Sequence, residues 1–290
     1  MPSFQHKKQL LFVMKLVNGT FSDKESNVIE CQGFRASVDI DRAGGAIAGM
    51  ANCRIYGLAQ DDMNRLTSLK YQNLSDVAKN EIQIYAIDGT EKSFVFGGTI
   101  INAWADYQSM PEVCLFVQAM CGYYQQIAPA TPRSFSGEVD VSAAIQQIAK
   151  SMGFGFEGNG VVARLKDQYL AGSDVEQMMA LARNAGVQCV IDSDTVVLFP
   201  TGGGRDTPVV LLAPDTGMIG YPTFDGTGVY VRSLYNPNIK FNGPIKIESD
   251  VIQANGDWFA TNIALSLESE IPGGQWHCTI RGTKSIYAIK

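Results

Sequence analysis

The feature that most constrains this chain is a period of two. In "DWFATNIALSLESE" (Asp257–Glu270) apolar and polar residues alternate. Successive side chains of a strand point to opposite sheet faces, so such a run needs a core on one side and solvent on the other. The runs "QLLFVMKLV", "RASVDID", "ANCRIYGL", "EIQIYAID", "SFVFGGTIINAWADY" and "EVCLFVQAMCGYY" carry the same β signal near the N-terminus. "PVVLLA", "GVYVRSLY", "PIKIESD" and "QWHCTIRG" carry it near the C-terminus. "IDGT" (Ile87–Thr90) is an Asp-Gly hairpin signal. One helix is expected in "LAQDDMNRLTSL", where Leu58, Met63, Leu66 and Leu69 share a face and Asp61 and Asp62 suit the first turn. The reading is a mainly β protein with antiparallel, barrel-like sheets.

The middle of the chain has a different texture. "DVSAAIQQIAKSMG" and "SDVEQMMALARNAG" are helical, and Ser173 with Glu176 forms an S-x-x-E capping box. Gly153 and Gly186 suit the left-handed residue that ends a helix. Thirteen positions before each lie Asp140 and Ser173, both good N-caps. Short strands follow in "FGFE" and "VQCVID", so a helix–strand repeat is expected. "APATPRSFSGE" (Ala128–Glu138) reads as a boundary. The expected division is 1–127 as a first β-domain, 128–200 as an α+β insert and 201–290 as a second β-domain.

Between insert and second β-domain lies "FPTGGGRDTP" (Phe199–Pro208). A phosphate loop ends in Gly-Lys-Ser/Thr and leads into a helix. Here Arg205, Asp206, Thr207 and Pro208 follow, then a strand, so the glycines read as a linker. Other chemistry is as sparse. The two histidines are His6, near the N-terminus, and His277, in an alternating run, which leaves a nucleophilic triad almost without candidates. The acidic pairs "DID", "QDD", "DSD" and "ESE" single out no convergent pair of carboxylates, and turn and cap roles account for "DSD" and "QDD". No spacing fits zinc. The expectation is no catalytic, cofactor-binding or metal-binding residue, no cofactor and no enzymatic activity. Net charge is −6 with no basic stripe, which argues against a duplex-DNA reader. Lys15 breaks the apolar run Leu10–Val13, which reads as a first strand rather than a signal peptide. No run is long enough to span a membrane, so no membrane insertion is expected. The six cysteines form no CxxC pair and read as buried thiols of a reducing compartment.

"GMIGYP" followed by "GVYVRSLYNPNIKFNGPIKI" (within Thr216–Ser249) resembles the last domain of the baseplate hub family of contractile-tailed bacteriophages. "CRIYGLAQDDMNRLTSL" (Cys53–Leu69) resembles the strand-to-helix element of that family's first domain, and the insert is similar too. The resemblance implies a structural virion protein of the tail baseplate, made in the host cytoplasm. It implies a homotrimer with two tube-type β-domains per chain, adapting a threefold central spike to a sixfold tail tube. The implied partners are the trimeric spike protein, the tail tube protein or a tube-initiator ring, baseplate wedge proteins and the tape measure protein. DNA would pass through the channel without specific binding, and a neutral to acidic wall is expected, because each cationic phosphate contact favours retention. Two other readings stand beside it. The helix–strand repeat is similar to small peptidoglycan-binding modules, which implies a cell-wall binding protein. The acidic pairs leave a carboxylate-dependent hydrolase as the third.

Overall fold

A computed structural model describes residues 7–21, 26–43, 49–67 and 79–284. The first part of the chain forms β1 (Lys8–Lys15), β2 (Val28–Gln32), β3 (Ala36–Ala43), β4 (Met50–Tyr56), β5 (Glu81–Asp88), β6 (Glu91–Asp106) and β7 (Cys114–Met120), with helices α1 (Gln60–Leu66) and α2 (Tyr123–Ile127). The middle forms β8 (Arg133–Asp140), α3 (Val141–Met152), β9 (Gly155–Glu157), β10 (Arg164–Leu170), α4 (Asp174–Ala185), β11 (Val187–Asp192) and β12 (Thr195–Pro200). The last part forms β13 (Val210–Leu212), β14 (Met218–Phe224), β15 (Val229–Leu234), β16 (Pro244–Ile247), β17 (Gly256–Ser269) and β18 (Trp276–Thr283). The protein is mainly β, as the alternating runs require.

The first and last parts do not build separate sheets. β17 pairs antiparallel with β3, from Asn262↔Ala43 to Ser269↔Ala36, and one sheet runs β14-β15-β18-β17-β3-β4-β7-β6-β5-β1-β2. Its first eight strands contain a repeat. In chain order, β3, β4, β6 and β7 lie as β3-β4-β7-β6, while β14, β15, β17 and β18 lie as β14-β15-β18-β17. The order is the same in both halves and in the same direction across the sheet. The skipped strands correspond as well: β5 pairs with β6, and β16 with β17. The pairing of β17 with β3 therefore joins the last strand of one repeat to the first strand of the other.

Alternation fixes which face is buried. Val38, Ile40, Ala51, Cys53, Ile55, Leu115, Val117, Val231, Ile263, Leu265, Leu267 and Ile280 are almost wholly inaccessible. Each such Val, Leu or Ile side chain contributes about 1.5–3 kcal/mol relative to exposure. All six cysteines are buried. Burial pushes the Cys189 and Cys278 thiols up to about 12, which keeps them protonated. In α1, Met63 and Leu66 face the core and Asp61 and Asp62 occupy the first turn; Leu69 lies outside the described residues.

The middle segment is a doubled β-α-β unit, since a strand precedes each helix as well as following it. β8 pairs with β10, and β11-β12-β9 form a second small sheet. The Asp140 side chain accepts from Ala143 N at 2.9 Å, and the Ser173–Glu176 capping box is complete. Gly153 and Gly186 take φ of 77° and 65° at the helix C-caps. Residues 133–138, which sequence alone reads as part of a boundary, lie in strand β8 (Arg133–Asp140). Ser134, Ser136, Glu138 and Asp140 face outward, while Phe135 and Val139 pack on the core. The "GYY" end of the β7 run is not strand either. Gly122 has φ 63° and starts α2, and a Cβ there would lie 2.9 Å from Ile191 Cδ1.

The triple-glycine stretch is held, not loose. Arg205 N donates to Asn242 O at 2.8 Å, and Asp206 N to Asn159 Oδ1 at 2.8 Å. A Cβ on Gly204 would stand 2.4 Å from Phe259 Cε1 and 2.8 Å from Asn242 O. Glycine is needed there for close approach rather than for freedom of motion. Gly204→Ala should therefore lower stability by about 1–3 kcal/mol in urea unfolding, the usual cost of overpacking. Gly226→Ala should stay within about 0.5 kcal/mol, because nothing lies within 4 Å of its Cβ position.

Candidate functional site

The face of the eight strands opposite the core is open and polar. Register places His277, Ser266, Asp39, Asn52, Gln118 and Asn102 in one row across six strands. Ser266 Oγ donates to Asp39 Oδ1 at 2.9 Å, and Gln118 Nε2 to Asn52 Oδ1 at 3.0 Å. A parallel row reads Arg232, Thr279, Ala264, Asp41, Met50 and Met120. A third reads Glu268, Ser37, Arg54, Phe116 and Trp104, with the last two rings stacked at 4.4 Å. The three rows carry three carboxylates, two guanidinium groups and one imidazole. Apolar side chains gather at the ends instead. Ile219, Tyr221, Phe224 and Tyr230 are exposed on β14 and β15, and Trp104 and Phe116 lie at the other end.

Both ends of this eight-strand surface have open edges among the described residues. β14 pairs only with β15. In β6, residues 91–99 pair with β5, whereas residues 99–106 pair with β7 alone apart from Thr99. An exposed row of backbone N–H and C=O groups with apolar neighbours is a template for another chain.

A buried charge network anchors the middle segment to this sheet. Arg205 is 6% exposed. Its Nε and Nη2 donate to the two Glu157 oxygens at 2.6 and 2.8 Å, and its Nη1 to Asp192 Oδ2 at 2.6 Å. Asp192 Oδ1 lies 3.7 Å from Arg42 Nη1, and Arg42 Nη2 donates to Val95 O. Glu157 ends β9, Asp192 ends β11 and Arg42 lies on β3, so the network ties all three parts of the chain together. Burial alone would raise the Asp192 carboxyl, but Arg42 and Arg205 outweigh it and hold it below the ordinary carboxylate value.

The acidic pairs singled out in the sequence do not converge. Asp39 and Asp41 share the open face, and Asp41 Oδ1 accepts from Asn262 Nδ2 at 3.2 Å. Asp192 is not a turn residue but half of the Arg205 anchor. Glu268 accepts from Gln275 N at 2.8 Å, and Glu270 pairs with Lys7 at 2.7 Å. His277 Nε2 contacts Arg232 Nη2. His6 lies outside the described residues. Among the described residues no three His, Cys, Asp or Glu side chains are grouped to hold a metal, and no helix is long and apolar enough to cross a membrane. Sequence reasoning passed over Arg205. Its only signal was a lone cation between glycines and a proline.

The eight-strand sheet is thus duplicated, open at both ends and polar on one face. A sequence profile of the family described as baseplate hub gp41 matches residues 16–271. The chain belongs to that family. The fold is similar to the 43 kDa tail protein of prophage MuSo2 from Shewanella oneidensis, with TM-score 0.61, 10% identity and coverage of 94% of this chain and 96% of that one. It is similar to the tail protein from Neisseria meningitidis MC58, with TM-score 0.60, 11% identity and coverage of 94% and 96%. It is also similar to Escherichia coli c3393, a component of the type VI secretion system with structural similarity to T4 tail proteins gp27 and gp5, at TM-score 0.55, 10% identity and coverage of 93% and 76%. No curated protein sequence matches the chain significantly. The family is one of structural phage tail proteins, and baseplate proteins are virion components.

Two outcomes follow for this baseplate hub protein. Arg205→Met leaves the buried Asp192 carboxylate without its main partner and should cost about 3–5 kcal/mol in chemical unfolding, and Arg205→Met/Asp192→Asn should recover part of it. The second concerns His277. Burial first, then Arg232, lowers its pKa below 6.5. The unfolded chain then binds this proton before the folded chain does, so its contribution is intact above pH 6.5 and declines as pH falls through that value. The melting temperature should fall more between pH 7.5 and 5.5 in the native protein than in His277→Gln.

Proposed function

We propose that three copies close into a ring that adapts a threefold central spike to the sixfold tail tube. The observation that carries this reading is the duplicated strand order. Two repeats per chain give six around a threefold axis, each junction joining a fourth strand to a first strand. β17 and β3 supply that junction within the chain, and the open edges of β6 and β14 would supply it between copies. All eight strands alternate in direction, so β6 of one copy meets β14 of the next antiparallel, like every other pair in the row. The contact is heterologous, and ring closure would leave neither the β6 nor the β14 edge exposed.

Strand spacing supports the number three. At about 4.8 Å per strand, 24 strands enclose a circle about 37 Å across, and a side-chain layer of about 5 Å on each wall leaves a bore of about 27 Å. Two copies would leave only about 14 Å by the same arithmetic. The wider bore admits a DNA duplex. The open face would line it, and its three carboxylates against two guanidinium groups fit passage without retention. In this reading 1–127 and 201–290 are tube-type domains, and 128–200 decorates the outside. The spike, tube or initiator ring, wedge and tape measure proteins are the partners. The chain acts by assembly and carries out no chemistry.

The test is cysteine pairing across the junction. Cysteine at 102 or 104 combined with cysteine at 219, 221 or 223 should yield an oxidised species of three times the 31.5 kDa chain mass, in the presence of spike and tube protein. A chain that stays monomeric with both partners present refutes the ring.

A further inference from the structure

The two repeats correspond beyond their strand order. Each carries a bulge at the same place, between Ile100 and Asn102 in β6 and between Ala260 and Asn262 in β17. With the bulges superposed, Gly98 falls on Trp258, and their partners are Ile82 of β5 and Ile245 of β16. β5 and β16 therefore hold the same place in the two repeats. So do the ends of β4 and β15, since Tyr56 pairs with Cys114 as Leu234 pairs with His277. The connections follow suit. Glu248–Asn255, between β16 and β17, stands where the β5–β6 hairpin tip stands, and the β6–β7 loop stands where the β17–β18 loop does.

In the first repeat the hairpin tip reaches back across the β17–β3 junction onto the second repeat. Ser93 Oγ meets Tyr235 Oη at 3.2 Å, and Phe94 shares a pocket wall with Tyr235 and Cys278. Beside it, Lys7 pairs with Glu270 of the β17–β18 loop at 2.7 Å, and Gln9 Nε2 donates to Glu270 Oε1 at 3.1 Å. The internal junction is thus held twice, by strand pairing and by this overlying layer.

The same step applied to the second repeat carries its connection past the open β14 edge, toward the first repeat of a neighbouring copy. Counted back from the bulge, Ile252 falls on Lys92, next to the position of Ser93. Ile252 is 78% exposed. Its target would be the counterpart of the β17–β18 loop, the β6–β7 loop, where Tyr107 and Met110 are 39% and 73% exposed. A single exposed apolar side chain is ordinary. Here three stand open at the two places that the repeat would bring together, which marks an interaction surface.

We propose that Ile252 of one copy seats against Tyr107 and Met110 of the next, so that each junction between copies is held by an overlying contact as well as by β6–β14 pairing. The proposal rests on the ring and names a second contact within it. The occupant is a second copy of this chain, because the equivalent element already makes the equivalent contact inside the chain. The chemistry differs between the two. Lys7 and Gln9 hold a carboxylate at the internal junction, whereas apolar groups meet at the external one, which distinguishes a junction between copies from the one within a chain.

The experiment uses the full chain with spike and tube protein present. Ile252→Cys combined with Met110→Cys or with Tyr107→Cys should give an oxidised covalent trimer, and the native cysteines, all buried, leave little background. Cysteines at 104 and 223 report strand pairing separately. Ile252→Asp should raise the chain concentration needed for half-assembly by roughly five- to tenfold. It should leave the melting temperature of the free chain unchanged, since the side chain is exposed. A covalent trimer through 104 and 223 but none through 252 with 107 or 110 overturns this contact and leaves the ring standing. Capture of position 252 by the spike or tube protein alone, or assembly unaffected by Ile252→Asp, overturns it as well. Monomers with both kinds of cysteine pair refute the ring and this contact together.

Discussion

The structure depends on the pairing of β17 with β3. Eight residue pairs join Asn262–Ser269 to Ala36–Ala43, segments more than two hundred residues apart. Without it the chain would hold two small sheets, each with an extra open edge. With it, one apolar face covers a continuous core and one polar face runs unbroken across eight strands. Loop-closure entropy grows only slowly with length, so a large excursion between the paired strands costs little more than a short one. Much of that excursion is the α+β segment, which leaves after α2 and returns before β13.

The same pairing explains why duplication matters. A strand order repeated in the same direction is a translation along the sheet, and translation leaves a complementary strand at each end. A duplication related by a twofold axis would have left two like edges, which pair only with themselves. The open edges of β6 and β14 differ, and heterologous edges propagate into a ring or a filament according to whether the rotation closes. Sheet curvature, set by strand twist and by the bulge between Ile100 and Asn102, decides between these.

The Arg205 network works by a different logic. A buried ion pair is a weak source of stability, because desolvation offsets most of the attraction. It is a strong source of position, since displacement leaves charges unpaired in low dielectric. Glu157, Asp192 and Arg42 come from three strands of two sheets, and the planar guanidinium fork meets Glu157 bidentately. The α+β segment is thereby fixed on the sheet, and the glycines before Arg205 let the backbone press against Phe259 to bring the fork into reach.

Most outer strands and the two capped helices α3 and α4 were legible in the sequence, because each depends on residues a few positions apart, whereas β2, β10 and α2 were not read. Asp140, Ser173, Gly153 and Gly186 act through backbone groups within one turn, and alternation in Asp257–Glu270 marks its own buried face. β8 was hidden because its outward face is serine and acidic residues and Gly137 interrupts its inward face between Phe135 and Val139. The resemblance in Thr216–Ser249 pointed to the family. What only the tertiary structure decided is which strands meet. Alternation states that a strand has an apolar face but not its neighbour, so one sheet or two, the repeated order and its open edges were invisible. Arg205 reads as a solvated linker cation until Glu157 and Asp192 are brought to it. Partners that far apart in sequence leave no local trace, because their energy exists only once the chain has closed around them.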